Sequence, residues 1–181
     1  MNQNNTFQIE VAGCKRNLPV CQVNEHISIA AFIMFGDVEI TEKCATELLK
    51  ICPDFDILVT AESKGIPLCY EMARQSRKNY IVARKSQKIY MNNSICVDVK
   101  SITTAEVQRL YLSESDSKSI ENKNILIVDD VISTGNSISA TEELVRKAKG
   151  NIVGKACVFA EGSAANRKDI IFLSSLPIFE K

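Results

Sequence analysis

The chain has 181 residues, of which 45% are hydrophobic, so it is long enough for one domain with a substantial apolar core. Its 22 lysines and arginines balance 22 aspartates and glutamates, and this zero formal charge indicates neither a nucleic-acid partner nor an anionic membrane. The polar start and the lack of an apolar run approaching the roughly 18 residues of a spanning helix predict a cytoplasmic protein.

The N-terminal third predicts short strands and helices that lead to a larger sheet. Apolar and polar residues alternate over 7–11, as in a half-buried strand, and a second extended segment begins at Leu18. The apolar run 27–35 has no clear period, and its length favours a helix. A helix over 41–52, capped by its first threonine, precedes the buried strand 57–60.

A polar segment follows that strand and reads Ala61-Glu62-Ser63-Lys64-Gly65-Ile66-Pro67. It stands ahead of a helix over 68–76, so it occupies the carboxyl end of a strand in a βα unit. Ligands of open α/β folds bind at that edge. A surface turn with a solvated lysine is the alternative interpretation.

The next strand, over 79–83, ends in a basic segment that contains Arg84, Lys85 and Lys88. Three cations in five residues are usually a solvated loop. At a strand end beside an anion site they serve better as anion ligands, because arginine can bind bidentately and lysine acts as a point charge.

Alternating apolar residues over 95–112 predict a long hairpin outside the main sheet, with its turn near 103–106. Residues 113–124 are polar and predict a linker that leads to the central strand.

The stretch on which the other predictions depend is 125–137. Four apolar residues, 125–128, indicate a strand buried on both faces, and Asp129 and Asp130 stand where it should end. The turn 133–137 then leads into a helical pattern, so its backbone N–H groups and the helix dipole can hold a phosphate. Ionised carboxylates repel phosphate, and their natural partners are sugar hydroxyls or a metal. A ligand with a phosphate beside a diol, such as ribose 5-phosphate, suits both the turn and the acidic pair.

Three alternatives fit this stretch less well. A nucleoside-triphosphate loop needs a Gly-Lys-Ser/Thr sequence that does not follow here. Receiver domains of response regulators carry paired aspartates near their start, whereas here only 131–181 remains. A simple helix cap does not need both aspartates and the Thr-Gly-x-Ser sequence.

After the central helix, Gly150 predicts a helix end, and a strand over 152–160 follows. This places Glu161 on the same sheet edge as the two aspartates. The residues from Ile170 onward predict a closing strand and packing. The seven cysteines lack a Cys-x-x-Cys pair, which favours buried, reduced thiols over a zinc site.

The sequence Val128-Asp129-Asp130-Val131-Ile132-Ser133-Thr134-Gly135-Asn136-Ser137 resembles the phosphoribosyl pyrophosphate signature of the type I phosphoribosyltransferases. Other segments between about 58 and 161 agree with that family in order and spacing. The resemblance implies an α/β fold with a parallel sheet flanked by helices, a small N-terminal hood mainly within 1–40, and a mobile β-hairpin loop at about 84–113. It implies one phosphoribosyltransferase domain over 1–181.

The resemblance also implies the role of each site residue. Asp130 and Asp129 would be catalytic and hold the ribose hydroxyls. The 5-phosphate loop would comprise Val131, Ile132, Ser133, Thr134, Gly135, Asn136 and Ser137. Pyrophosphate would contact Glu62, Ser63, Lys64, Gly65, Arg84, Lys85 and Lys88, and Glu161 would meet the base. Mg²⁺ would bind through pyrophosphate and the ribose hydroxyls.

The implied activity is transfer of a phosphoribosyl group to a purine in purine salvage, by a homodimer. Both the adenine and the xanthine enzymes share the Arg-Lys-x-x-Lys run, and adenine is favoured because Glu161 has no adjacent cation to suit an anionic oxopurine. Xanthine or another oxopurine is the alternative. A rival from another class is a non-catalytic regulator that senses phosphoribosyl pyrophosphate, although the neutral charge gives no nucleic-acid surface.

Overall fold

The computed structural model describes residues 5–99 and 108–180. The strands are β1 (Thr6–Val11), β2 (Cys14–Gln22), β3 (Ile27–Ala30), β4 (Ile57–Ala61), β5 (Asn79–Ala83), β6 (Ile95–Val99), β7 (Gln108–Leu112), β8 (Asn124–Ile132), β9 (Asn151–Glu161), β10 (Ile171–Leu176) and β11 (Ile178–Glu180). The helices are α1 (Val38–Ile51), α2 (Ile66–Ser76), α3 (Glu114–Ile120) and α4 (Asn136–Lys147), and a 3₁₀ helix covers Gly162–Asn166.

The central sheet is parallel, with the strand order β10-β9-β8-β4-β5. Successive side chains of its strands point to opposite faces, so each face has its own apolar layer. Leu58 and Leu126 pack with α1, α2 and the small N-terminal sheet. Val59 and Ile127 pack with α4 and the β6–β7 hairpin. The predicted α/β fold, a parallel sheet flanked by helices, is confirmed.

The central strand β8 is open on one side at its carboxyl end. Its pairing with β4 ends at Val59 and Ile127, whereas its pairing with β9 continues to Ile132. The strand therefore does not end at residue 128 but runs through both aspartates. The missing neighbour on the β4 side leaves space beside them, and the site forms there.

The small sheet has the antiparallel order β1-β2-β3-β11. The prediction of a helix over 27–35 is wrong, because Ile27–Ala30 forms a strand between β2 and the C-terminal strand β11. A short apolar run is ambiguous by period alone, and here two neighbouring strands decide it. The role of this sheet as a hood stays a prediction.

Helix α1 begins at Val38, three residues before the predicted cap at Thr41. The Asp37 carboxylate accepts a hydrogen bond from the Ile40 N–H at 3.2 Å and caps the helix. Two hydrogen bonds from Arg16, at 2.6 and 3.0 Å, hold that carboxylate and lower its pKa. The cap of α1 is therefore held in place by Arg16, which lies on β2 of the small sheet.

The predicted hairpin is present, because β6 and β7 pair in antiparallel register. Its predicted turn near 103–106 lies outside the described residues. All seven cysteines are free, and four of them are buried. No helix within the two described ranges is long and apolar enough to cross a membrane.

The predicted linker over 113–124 is wrong in part, because Glu114–Ile120 forms α3. The Ser113 hydroxyl accepts a hydrogen bond from the Asp116 N–H at 3.1 Å and caps the helix, and Ile120 is fully buried. An N-cap serine with acidic residues in the first turn is a helix signal in an otherwise polar segment.

Replacing Ser113 by alanine should lower the free energy of unfolding by about 1 kcal/mol, because the first-turn N–H loses its partner. Urea denaturation measures the change. Ser119→Ala is the control, since the exposed Ser119 hydroxyl only bonds back to the Ser115 carbonyl. Equal losses in the two variants would show that the cap does not stabilise α3.

Candidate active site

A cleft of about 270 Å³ opens at the carboxyl end of the parallel sheet. It is lined by the acidic pair and by residues from the segments after β4 and β5 and from the hairpin: Ala61, Glu62, Ser63, Lys64, Lys85, Val99, Arg109, Leu110, Asp129, Asp130, Val131 and Ser137. A cavity of about 70 Å³ shares the Asp129 wall and is lined by 131–138. The segments that the sequence places at one sheet edge therefore meet.

Of the acidic pair, Asp130 is almost fully buried and Asp129 is partly exposed. Asp130 is 2% exposed, and its backbone N–H donates to Oδ1 of Asp129 at 2.9 Å. Burial, reinforced by the neighbouring charge of Asp130, raises the pKa of Asp129. Oδ2 of Asp130 has no hydrogen-bond partner among the described residues, and Nζ of Lys64 lies 3.7 Å from it. A buried carboxylate oxygen at a cleft wall is an acceptor for a ligand hydroxyl.

The turn between β4 and α2 packs directly onto the acidic pair. A methyl group on Gly65 would lie 2.6 Å from Oγ1 of Thr60 and 2.9 Å from Oδ1 of Asp129. Only glycine lets the turn approach this closely. The close approach places Ser63 and Lys64 beside the carboxylates.

The turn after β8 provides the second half of the site. Gly135 has φ of 82°, in the left-handed region, and no side chain caps α4, which begins at the next residue. The first N–H groups of the helix therefore have no side-chain partner, and the positive end of its dipole faces the 70 Å³ cavity. This space exceeds the roughly 10–15 Å³ that one water molecule needs in a cavity, and its donors suit a phosphate group.

Glu62 connects the two neighbouring loops. Its carboxylate accepts a hydrogen bond from the Lys85 N–H at 2.9 Å, and its own N–H donates to the Ala83 carbonyl at 2.8 Å. Nη1 of Arg84 lies 4.0 Å from the Glu62 carboxylate, and Nε of Arg84 is buried without a partner in the described structure. These contacts hold the basic segment against the polar turn.

Four of the predicted site residues line neither of the two cavities: Gly65, Arg84, Lys88 and Glu161. Nζ of Lys88 contacts the Ser86 hydroxyl at 2.7 Å, and Lys88 does not line the cleft. Glu161, at the end of β9, is half-buried, and burial raises its pKa against the opposing effect of Lys64. The effect of Lys64 links Glu161 electrostatically to the acidic-pair side of the site.

Two arginines near the site were not predicted from the sequence. Arg109, on β7, lines the cleft and is paired with Asp98 through a 2.9 Å hydrogen bond. Arg167, after the 3₁₀ helix, reaches Gly135. The sequence around each arginine does not indicate a site residue. Arg109 is brought to the cleft by the pairing of β7 with β6, and Arg167 by the course of the chain after the 3₁₀ helix.

Within residues 5–99 and 108–180, no three His, Cys, Asp or Glu side chains are grouped so that they could hold a metal ion. The acidic pair supplies two carboxylates, which alone do not form a complete cation site.

The fold and the site define a class: an α/β domain with an acidic pair and a phosphate-type loop at the carboxyl edge of a parallel sheet. The chain belongs to the phosphoribosyl transferase domain family, whose profile matches residues 39–179. This membership confirms the family resemblance of the 128–137 signature.

Curated relatives include two kinds of enzyme and a regulator. The hypoxanthine/guanine phosphoribosyltransferase of Methanothermococcus okinawensis is 30% identical over 69% of this chain and 65% of its own length. The adenine phosphoribosyltransferase of Pseudothermotoga lettingae is 32% identical over 64% of this chain and 65% of its own length. The purine biosynthesis transcriptional repressor PurR of Bacillus subtilis is 26% identical over 71% of this chain and 46% of its own length. The chain thus spans less than two thirds of each of these proteins.

The fold of this chain is also similar to the folds of solved structures. The adenine phosphoribosyltransferase of Thermoanaerobacter pseudethanolicus superposes with a TM-score of 0.64 at 18% identity, covering 76% of this chain and 80% of that one. At this identity the similarity establishes the fold alone.

Asp129→Asn should raise the free energy of unfolding, and the gain should grow between pH 5 and pH 8. Because the pKa of Asp129 is raised in the folded state, the native protein loses stability as pH rises from the ordinary carboxyl range towards the raised pKa. Asparagine does not titrate, so the difference can grow by at most about 1.4 kcal/mol per pH unit. Denaturant unfolding at both pH values measures it.

The matched control is Asp54→Asn, an exposed aspartate that precedes β4 at the opposite edge of the sheet. It should show no such trend with pH. A gain for Asp129→Asn that is constant or shrinks from pH 5 to pH 8 would contradict the raised pKa.

Proposed function

We propose that the protein transfers the 5-phosphoribosyl group from phosphoribosyl pyrophosphate to a purine base, preferably adenine, and releases pyrophosphate. The single observation that supports this most is the convergence of the acidic pair, the phosphate-type turn and the Glu62–Gly65 turn on one sheet edge. Membership of the phosphoribosyl transferase domain family supports it independently. We also propose that the protein acts as a homodimer, as the family resemblance implies.

In this proposal Asp129 and Asp130 accept hydrogen bonds from the ribose hydroxyls, and the 131–137 segment binds the 5-phosphate. The bond from the anomeric carbon to pyrophosphate breaks, and its electron pair leaves with the pyrophosphate. A ring nitrogen of the base forms the new bond and loses its proton. The Asp130 carboxylate stabilises the positive charge that develops on the ribose, because its buried Oδ2 has no other hydrogen-bond partner in the described chain.

The leaving pyrophosphate would be bound by the Glu62–Gly65 turn and by Arg84, Lys85 and Lys88. Lys64 and Lys85 line the cleft, which supports this assignment. Glu62 is itself an anion, so we assign to it the joining of the two loops through the Lys85 N–H. Lys88 must turn from its contact with Ser86 to reach the ligand.

Mg²⁺ fits this site as a partner of the substrate. The described residues offer no complete cage of protein ligands, and Mg²⁺ commonly keeps water while binding substrate phosphates and one or two carboxylates. Bound to pyrophosphate and the ribose hydroxyls, it would neutralise charge on the leaving group. The acidic pair would hold those same hydroxyls from the protein side.

The choice of base rests on Glu161. Its carboxylate is followed in the sequence by Gly162 and Ser163, so neither of the next two residues offers a cation for an anionic oxopurine. A carboxylate instead accepts a hydrogen bond, as from an exocyclic amine. Adenine carries such an amine and no oxo group. Xanthine or another oxopurine remains the alternative substrate, and a hypoxanthine/guanine enzyme is among the relatives.

The deciding experiment follows nucleotide and pyrophosphate formation from phosphoribosyl pyrophosphate and Mg²⁺ with adenine, hypoxanthine, guanine or xanthine, each tested separately. We expect turnover with adenine to exceed that with each oxopurine. Turnover only with an oxopurine would support the phosphoribosyltransferase activity but contradict the assignment of adenine as the preferred base. Failure to bind phosphoribosyl pyrophosphate in calorimetry would reject the proposal altogether.

A second function is a non-catalytic sensor of phosphoribosyl pyrophosphate, because a transcriptional repressor is among the relatives. Such a protein would bind the ligand and turn over no base. The basic residues Arg84, Lys85 and Lys88 favour catalysis, since they assist departure of the pyrophosphate. Tight binding of phosphoribosyl pyrophosphate without turnover of any of the four bases would favour the sensor.

Asp130→Asn should lower turnover about ten- to a hundredfold, because hydrogen bonds to a charged group contribute roughly 1.5–3 kcal/mol and the charge is needed most in the transition state. Steady-state kinetics with adenine measure this change in kcat, and KM for phosphoribosyl pyrophosphate should change less. Asp54→Asn, far from the cleft, is the matched control. Normal kcat in the Asp130 variant would remove the assigned role.

A further inference from the structure

The phosphate-type turn is covered on one side by an arginine that the proposed function does not use. A methyl group on Gly135 would lie 2.5 Å from Nη1 of Arg167 and 3.8 Å from its Cζ. The guanidinium thus occupies the space that a side chain at residue 135 would fill. Gly135 is therefore required by its φ of 82° and by the arginine beside it.

Arg167 is held in this place by a forked pair. Its Nε and Nη2 donate to the two carboxylate oxygens of Asp169 at 2.9 and 2.7 Å. Nη1, the nitrogen beside Gly135, donates no hydrogen bond among the described residues. A bidentate pair fixes the plane of the guanidinium and so aims its third nitrogen at the turn.

The fork is anchored to the helix that begins at the same turn. Nζ of Lys155, on β9, lies 2.5 Å from the Asp169 carboxylate and 2.6 Å from that of Glu142 on α4. Burial alone would lower the pKa of Lys155, but the hydrogen bonds that its ammonium group donates to Asp169 and Glu142 outweigh burial, and the pKa is raised. A series of ion pairs thus joins the body of α4 to the turn at its N-terminus, in the order Glu142–Lys155–Asp169–Arg167.

We propose that Arg167 is a positioning residue for the 5-phosphate: it supports the Gly135 turn and adds a fixed positive charge beside the N–H groups that receive the phosphate. This inference rests on the proposed function, because it assigns a ligand group to the same turn. A dianionic phosphate bound there gains from a cation that is already in place, with no side chain to reorganise.

The two ends of the substrate would be bound by different parts of the site. Arg167 lies at the turn after β8, whereas the proposed pyrophosphate residues follow β4 and β5. Loss of its charge should therefore affect ribose 5-phosphate and spare pyrophosphate. A general loss of structure would affect both ligands.

The test is calorimetric binding of ribose 5-phosphate and, separately, of magnesium pyrophosphate. Arg167→Met should weaken ribose 5-phosphate binding roughly five- to thirtyfold and change pyrophosphate binding less than about twofold. The ribose 5-phosphate difference should shrink at high salt, because a charge effect is screened and a packing defect is not. Lys168→Met, which removes an exposed charge from the next residue, should leave both affinities unchanged.

Asp169→Asn is the second variant, and it decides the matter if Arg167→Met does not fold. It keeps the positive charge but weakens the fork, so ribose 5-phosphate binding should weaken by about two- to fivefold with pyrophosphate binding unchanged. Wild-type affinity for ribose 5-phosphate in the folded variants, or equal losses for both ligands, would overturn the inference. Failure of the wild-type protein to bind either ligand would instead overturn the proposed function.

Discussion

The site depends on two adjacent carboxylates that the fold removes largely from water in the central strand. Asp130 is 2% exposed, and the Gly65 turn covers part of Asp129, so both carboxylates have less of the water that normally solvates a charge. The cation beside them, Lys64, is 54% exposed and stands at 3.7 Å, which is too far for a hydrogen bond. Such an arrangement lowers stability, and proteins retain it where the unpaired oxygen has a function.

The pairing pattern of the sheet explains why the carboxylates are accessible despite their burial. Because β4 separates from β8 after Val59 and Ile127 while β9 continues, the end of β8 has one covered and one open side. The Glu62–Gly65 turn enters the open side and brings Lys64 with it. Glu62 then ties the segment after β5 to this turn through the Lys85 N–H. The early end of the pairing between β4 and β8 thus creates the cleft and brings its cations into place.

Much of this could be predicted from the sequence, because the signals are local. The buried strand, the acidic pair and the Ser133–Ser137 turn lie within one short segment, and so does the polar turn after β4. The strand Ile27–Ala30 could not be identified in this way, since its second partner is the C-terminal strand β11. Arg167 reaches Gly135 through tertiary structure alone. Helix α3 is different: the sequence contains its Ser113 cap, but the polarity of the segment favours a linker.

The enzyme and the sensor share most of this site, so binding of phosphoribosyl pyrophosphate alone does not separate them. They differ in what the bound state must do next. A sensor needs the ligand to remain intact, whereas a transferase must stabilise charge as the bond to pyrophosphate breaks. In the described structure Lys64 lines the cleft where pyrophosphate would lie, with its Nζ 3.7 Å from Oδ2 of Asp130. A pyrophosphate group entering that cleft would compete for Lys64 and leave Asp130 with a less compensated negative charge. That carboxylate would then interact most strongly with a ribose that is itself becoming positive, which is the condition for catalysis rather than for storage of the ligand.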